Sequence, residues 1–372
     1  MGPFPHDAAP SEISIDNPAG TDGFEFVEFA HPDPDALGAL FEQMGFTRIA
    51  RHRSKDVRLY RQGDVNYLIN AEPDSFAAKF AGQHGPCACA MAWRVADAAQ
   101  AHAHALAHGA TAVKTSTGPM ELNIPGIEGI GGSHIYFVDR YGDKGSIYDV
   151  DFIWESAPNA RPEGLGLYYL DHLTHNVFRG NMDVWTGFYE KLFNFREIRF
   201  FDIEGRVSGL FSRALTSPCG KIRIPINESA DDHSQIEEYL KQYKGEGIQH
   251  IACGSRDLYD TVEKLAEGGL KFMPAPPAAY YQRIDDRLPG HEEPLDRLEQ
   301  LGILIDGEGV VDGGLTKVLL QIFSKTVVGP IFFEFIERKG DDGFGEGNFK
   351  ALFESIEADQ IARGVLSKPN AA

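Results

Sequence analysis

Apolar residues recur along the chain in a repeating order of periods. Four segments each open on a short apolar strand, continue into a helix of about a dozen residues, and end in a run of strands. The first opens at residues 23–30 (GFEFVEFA), has its helix over 33–44, and runs through strands to residue 70. The second opens at 88–95 (ACAMAWRV), has its helix over 97–109, and closes with 145–154 (GSIYDVDFIW). The third opens at 167–177 (LYYLDHLTHNV), with its helix near 181–193. The fourth opens at 247–255 (GIQHIACGS), has its helix over 257–269, and closes with 329–338 (GPIFFEFIER). Leu258, Val262 and Leu265 illustrate the helical spacing, and Gly45, Gly109, Gly268 and Gly269 are helix stops. The strands are rich in Ile, Val, Phe and Tyr.

A strand–helix–three-strand module paired with its copy can curl a sheet into an open barrel around a cavity. The predicted fold is therefore α+β, with two open β-barrel domains of two modules each. The Pro/Gly/Ala-rich stretch 155–164 (ESAPNARPEG) reads as a linker. It divides a domain over 1–158, with an N-terminal arm over 1–22, from a domain over 159–372.

Composition narrows the function. A chain of 372 residues exceeds one ordinary core and suits two. With 55 acids against 35 bases, the formal charge of −20 repels phosphate backbones, so no nucleic-acid partner is expected. No apolar run approaches the ~20 residues that span a bilayer, so no membrane partner is expected either. The polar, Pro-rich first twenty residues lack the basic and apolar stretches of a secretory signal and read as a loose arm. The cysteines, Cys87, Cys89, Cys219 and Cys253, form neither a CxxC pair nor a disulfide framework, and a cytoplasmic location is the expectation.

Metal chemistry emerges from comparing module positions. His172 lies in the first strand of module three and His250 in the first strand of module four. Glu334 lies among Phe and Ile in the closing strand of module four, where a carboxylate is costly unless paired or bound to metal. Two imidazoles and one carboxylate form the face that ferrous iron uses in oxygen chemistry, leaving positions for substrate and O2. The first half is an internal control: Phe26, Ala90 and, by aligning GSIYDVDF with GPIFFEFI, Val150 occupy the matching positions. His175 lies three residues beyond His172, on the opposite strand face, and reads as structural. His102, His104 and His108 read as a solvated helix face beside an apolar stripe of Ala99, Ala103 and Leu106. The GFGEG run at 343–347 follows no strand-turn and does not read as a dinucleotide loop.

The repeat resembles the vicinal oxygen chelate superfamily. Around the three candidate ligands the chain resembles the 4-hydroxyphenylpyruvate dioxygenase family. The stretches carrying this resemblance are YYLDHLTHNV (168–177), KIRIPINE (221–228), GEGIQHIA (245–252), RIDDRLPGHEEP (283–294), LLQIFSKT (319–326), the run from 329 to 357 and RGVL (363–366). In the N-terminal half, residues 52–63 and 118–132 are similar to bacterial members. Glu337 departs from the family, in which many members carry Gln.

The resemblance implies Fe(II) on His172, His250 and Glu334. It implies substrate contacts from Ser212, Asn227, Gln235, Gln249, Gln321, Phe323, Phe332, Phe344 and Phe349. Asn227 and Gln235 suit the polar end of the substrate and the phenylalanines its ring, whereas Gln249 adjoins His250 and needs a bulge to face the same way. Asn348 reads as the N-cap of a covering helix with an apolar stripe of Phe349, Leu352, Phe353 and Ile356. The implied partners are 4-hydroxyphenylpyruvate and O2, converted to homogentisate and CO2 by a homo-oligomer, dimer or tetramer. The alternatives are a 4-hydroxymandelate synthase and a non-catalytic binding protein on the same scaffold.

Overall fold

A computed structural model describes residues 5–114, 117–118, 120–204, 208–310, 316–345, 347–348, 350–351, 356, 360–361 and 363–364. The first sheet contains β1 (Thr21–Ala30), β2 (Thr47–His52), β3 (Val57–Gln62), β4 (Val65–Asn70), β5 (Cys87–Val95), β6 (Gly126–Glu128), β7 (His134–Val138) and β8 (Phe152–Trp154). Their spatial order is β6-β7-β5-β1-β4-β3-β2-β8. The second contains β9 (Leu167–Val177), β10 (Arg196–Glu204), β11 (Gly209–Thr216), β12 (Arg223–Ser229), β13 (Gly247–Ser255), β14 (Leu304–Val310), β15 (Thr316–Phe323) and β16 (Phe332–Lys339). Its order is β10-β11-β12-β9-β13-β16-β15-β14.

The internal repeat is visible in the pairing. At the centre of each sheet the opening strands of two modules run antiparallel, β1 with β5 and β9 with β13. Each is flanked by a parallel strand from its own module: β4, β7, β12 and β16. The second module therefore closes with β7, not with 145–154. Val150 sits in a helical turn, Tyr148–Asp151, and β8 instead pairs with β2. Within 145–154, apolar periodicity alone did not separate a turn of helix from a strand. In the register of the two sheets, Tyr136 is the residue that matches Glu334.

The opening strands β1 and β13 are buried at every position because both of their faces are covered. On one face, Phe26 lines the inside of the first barrel and Glu334 the inside of the second. On the other, Val27, Phe29, Phe333 and Phe335 join one core shared by both sheets. Phe333 lies 6.4 Å from Phe29 and 5.9 Å from Tyr67 between ring centroids. Helices cover the outer flanks, and Asp33, Ser75, Asp97, Ser234 and Asp257 cap five of them through side-chain oxygens.

Two expectations fail in register. In the helix Ala98–Ala107 the buried residues are Ala98, Ala101 and Ala105, while Ala99, Ala103 and Leu106 face outward. Alanine-rich sequence gives a shallow apolar contrast, so the stripe was read one position off. The N-terminal arm is also not loose. His6 stacks on Tyr169 at 4.0 Å, the backbone oxygen of Ala8 accepts from Lys221 Nζ, and Asn17 and Ala19 are buried.

Phe333 is fully buried between the barrels, so Phe333→Ala is expected to cost about 3–5 kcal/mol. Denaturant unfolding of the variant and the parent protein measures this.

Candidate active site

The second barrel brings together three side chains from distant stretches: His172 on β9, His250 on β13 and Glu334 on β16. All three are at most 5% exposed. Their ligand atoms lie within 4.8 Å of one another, the one such cluster of His, Cys, Asp and Glu among the described residues. Glu334 Oε2 is 3.1 Å from His172 Nε2 and 3.4 Å from His250 Nε2. Ligands at right angles, about 2.1 Å from a metal ion, sit about 3 Å apart, so the donor set fits one small cation.

Bulges set the orientation of both rings. The β9–β13 ladder pairs Ala252 with His172 and then Cys253 with Leu170, skipping Asp171. On the opposite strand it pairs Ile248 with His175 and then His250 with Thr174, skipping Gln249. Each bulged residue turns its side chain onto the histidine that follows. Asp171 Oδ1 lies 2.8 Å from His172 Nδ1, and Gln249 Oε1 lies 2.9 Å from His250 Nδ1. Both acceptors require a proton on Nδ1, which leaves both Nε2 atoms for a metal.

Behind His172 lies a buried charged network. Arg338 clasps Asp171 with two bonds of 2.7 and 2.8 Å, and Tyr169 donates to Asp171 from 2.8 Å. Burial alone would raise Asp171, but the Arg338 guanidinium and its bonds hold it well below the usual carboxylate range. Arg338 also donates to the backbone oxygens of Asp341 and Gly343, tying the network to the loop that delivers Phe344.

Sequence reasoning gave Asp171 and Arg338 no role. Arg338 was readable in principle, because Glu334, Ile336 and Arg338 share one face of an apolar strand. Asp171 was hidden by its bulge, since strict alternation turns it away from His172.

The cavity over the triad is lined by Thr174, Pro225, Gln321, Phe323, Phe344, Gly345 and Asn348. Gln321, Phe323 and Phe344, expected from sequence, therefore meet the triad directly. Gln321 is a hub: its amide nitrogen donates to Glu334 Oε1 (2.9 Å) and to the backbone oxygen of Phe344 (3.2 Å), while its oxygen accepts from Asn348 (3.0 Å).

Ser212 and Asn227 are cross-strand partners on β11 and β12, both buried, each with an oxygen that has no hydrogen-bond partner among the described residues. Asn227 shares its strand face with Pro225. Gln235, Gln249 and Phe332 line a neighbouring pocket, with Phe332 stacked on His250 at 4.8 Å. Phe349, Leu352 and Phe353 lie outside the described residues.

Asn348 is not the N-cap. It already lies within helix, and its side-chain oxygen accepts from Tyr280, while the backbone N–H of Gly347 is capped by Asp306 (2.6 Å). The other histidines stay away from the triad. His175 is bonded to Tyr189 (2.7 Å), and burial pushes it down to about 3. His104 and His108 lie against one another on the first barrel, with ring centroids 4.1 Å apart and planes tilted by 35°.

Two eight-stranded barrels of duplicated modules, one carrying a metal-competent centre, define a vicinal oxygen chelate protein. Residues 169–296 match the family described as Glyoxalase/Bleomycin resistance protein/Dioxygenase superfamily. Residues 15–153 match the family described as Hydroxyphenylpyruvate dioxygenase, HPPD, N-terminal.

The chain is 59% identical over 361 residues to a 4-hydroxyphenylpyruvate dioxygenase of Pseudomonas aeruginosa, covering 96% of this chain and 99% of that one. It is 60% identical over 356 residues to a Vibrio vulnificus protein named hemolysin VllY, covering 94% of this chain and 98% of that one. The fold is shared with a solved mutant of 4-hydroxymandelate synthase from Streptomyces coelicolor, at 24% identity and a TM-score of 0.77, covering 91% of this chain and 99% of that one. The chain belongs to the 4-hydroxyphenylpyruvate dioxygenase family. Among the described residues no helix is long and apolar enough to cross a membrane.

Two outcomes follow from the imidazole environments. Burial would lower His172, but the Glu334 charge and bonds to Asp171 and Glu334 outweigh it and raise it above the ordinary value; burial lowers His250. Both rings must be neutral to take a cation, so affinity for a divalent metal is expected to fall as pH drops. Because His172 holds its proton to higher pH, the fall is expected to begin above the ordinary histidine pKa of about 6.5. Metal titrations across pH 6 to 9 check this sign. Asp171→Asn is expected to weaken metal affinity by about 10–100-fold while the fold persists, read by calorimetry beside circular dichroism.

Proposed function

We propose that this protein converts 4-hydroxyphenylpyruvate and O2 to homogentisate and CO2, using Fe(II) held by Nε2 of His172, Nε2 of His250 and the carboxylate of Glu334. The observation that carries this reading is the convergence of those three buried donors in a chain 59% identical, almost end to end, to a 4-hydroxyphenylpyruvate dioxygenase. Residues 1–158 form the non-catalytic half and 159–372 the catalytic half.

When bound, iron supplies the redox chemistry that joins dioxygen to a 2-oxo acid, and three protein ligands leave room for that acid. The substrate carries its own oxo acid, so no second one is needed.

The chain's own residues do the rest. Asp171 and Gln249 hold the two rings in the tautomer that presents Nε2. Gln321 fixes the Glu334 carboxylate by one oxygen and leaves the other facing the histidines. Phe323 and Phe344 wall the cavity against water and flank an aromatic ring. The unpartnered oxygens of Ser212 and Asn227 are acceptors for a hydroxyl at the far end of the substrate, a pairing that also relieves their own burial.

The cavity over the triad has only about 20 Å³ of free space, close to one water. A substrate-sized ligand therefore requires the lining side chains, Phe323 and Phe344 among them, to give way.

Oxygen uptake by anaerobically iron-loaded protein with 4-hydroxyphenylpyruvate, followed by product identification, tests the reading. Homogentisate is expected; 4-hydroxymandelate assigns the sister reaction, and no uptake overturns both. Glu334→Ala is expected to lose bound iron and to reduce turnover by at least about 10³-fold.

A further inference from the structure

The four central strands of the first barrel match those of the catalytic barrel position for position, yet its interior is not filled. The register places Phe26 where the second barrel has His172, Ala90 where it has His250, and Tyr136 where it has Glu334. The bulges persist as well: the β1–β5 ladder skips Glu25 and Cys89, the counterparts of Asp171 and Gln249. No metal can be held by a phenyl ring, a methyl group and a phenol. A barrel that had lost its only use would be expected to close by core packing, because unfilled volume costs stability. Instead the interior keeps a cavity of about 600 Å³, within the usual range for a small-molecule site, against about 20 Å³ over the triad.

Its chemistry is selective. Phe26, Phe76 and Tyr136 supply aromatic walls. Glu28 occupies the place of Thr174, pointing inward, and is only 7% exposed. The one hydrogen-bond partner of its carboxylate among the described residues is the Asn70 amide at 2.6 Å, and none of them forms an ion pair with it. Asn70 stands at the register position of Asn227. A buried carboxylate without a counter-ion is costly, and burial pushes Glu28 above the usual carboxylate range. The neighbouring basic side chains relieve it only in part, the Lys55 charge and the Asn70 bond being outweighed by burial. Lys55 is engaged with Glu121 at 2.8 Å, and burial brings His134 down to about 4, where it is neutral.

We propose that the first barrel is a second small-molecule site, selective for an aryl or aryl-alkyl amine whose ammonium group pairs with Glu28 among the rings of Phe26, Phe76 and Tyr136. The ammonium supplies the missing counter-charge, and aromatic faces favour a desolvated cation. An acid of the same shape, which is the charge type of the catalytic substrate, is repelled there.

Three probes sharing one aryl body test this: 2-phenylethylamine, 2-phenylethanol and phenylacetate, titrated against the full-length protein by ligand-observed NMR and calorimetry. The amine is expected to saturate one site per chain and to bind at least tenfold more tightly than the alcohol, with phenylacetate weakest. Glu28→Gln is nearly isosteric and is expected to weaken amine binding at least tenfold while leaving turnover and thermal midpoint no lower than in the parent protein. Amine binding is expected to be unchanged in Glu334→Ala, which separates this site from the metal centre. Absence of saturable amine binding, equal binding by Glu28→Gln, preference for phenylacetate, or loss of binding in Glu334→Ala would each overturn the proposal.

Discussion

The carboxylate of Glu334 is buried inside the second barrel, and the arrangement around it follows from the need to offset that charge. Burial would raise Glu334, but the two imidazoles that face it hold it low. One of its oxygens accepts from Gln321, and the other is shared by His172 and His250. Once both imidazoles are neutral, as metal binding requires, they and the carboxylate carry a net single negative charge in low dielectric, which a divalent cation is suited to balance. Gln321 links that carboxylate to the roof, donating both to Glu334 and to the backbone oxygen of Phe344.

The second constraint is geometric. A histidine on a regular strand can face a barrel interior, but its ring is then free to spin. The two bulges solve this by the same device twice, placing Asp171 and Gln249 directly behind the rings they orient. Asp171 is itself fixed by Arg338, and Arg338 by the loop before Phe344. Ring orientation in the centre is thereby tied to the segment that delivers Phe344 to the cavity. The shared core of Val27, Phe29, Phe333 and Phe335 supplies the rigid backing, because β16 carries Glu334 inward and Phe333 outward on adjacent residues.

Much of this was legible in the sequence, for identifiable reasons. Module order, the opening strands and the two candidate histidine positions came from duplication, which allows one half to be compared with the other, whereas the comparison for Glu334 was made with Val150 and the register matches Tyr136. The stretch 145–154 was misassigned because a four-residue helical turn and a short strand share its apolar pattern. The helix Ala98–Ala107 was misphased because alanine barely distinguishes inside from outside. The roles of Asp171 and Gln249 were unreadable from alternation, since each depends on a bulge that no residue type announces. Asn348 has the chemistry of a cap, but tertiary contacts with Gln321 and Tyr280 take its side chain, and Asp306 caps from another strand.

Anomalous scattering at the iron edge, from crystals loaded with Fe(II) under anaerobic conditions, tests the central claim most directly. The account predicts a single strong peak at about 2.1 Å from Nε2 of His172, Nε2 of His250 and one oxygen of Glu334. A peak elsewhere, or ligation through either Nδ1, would contradict it.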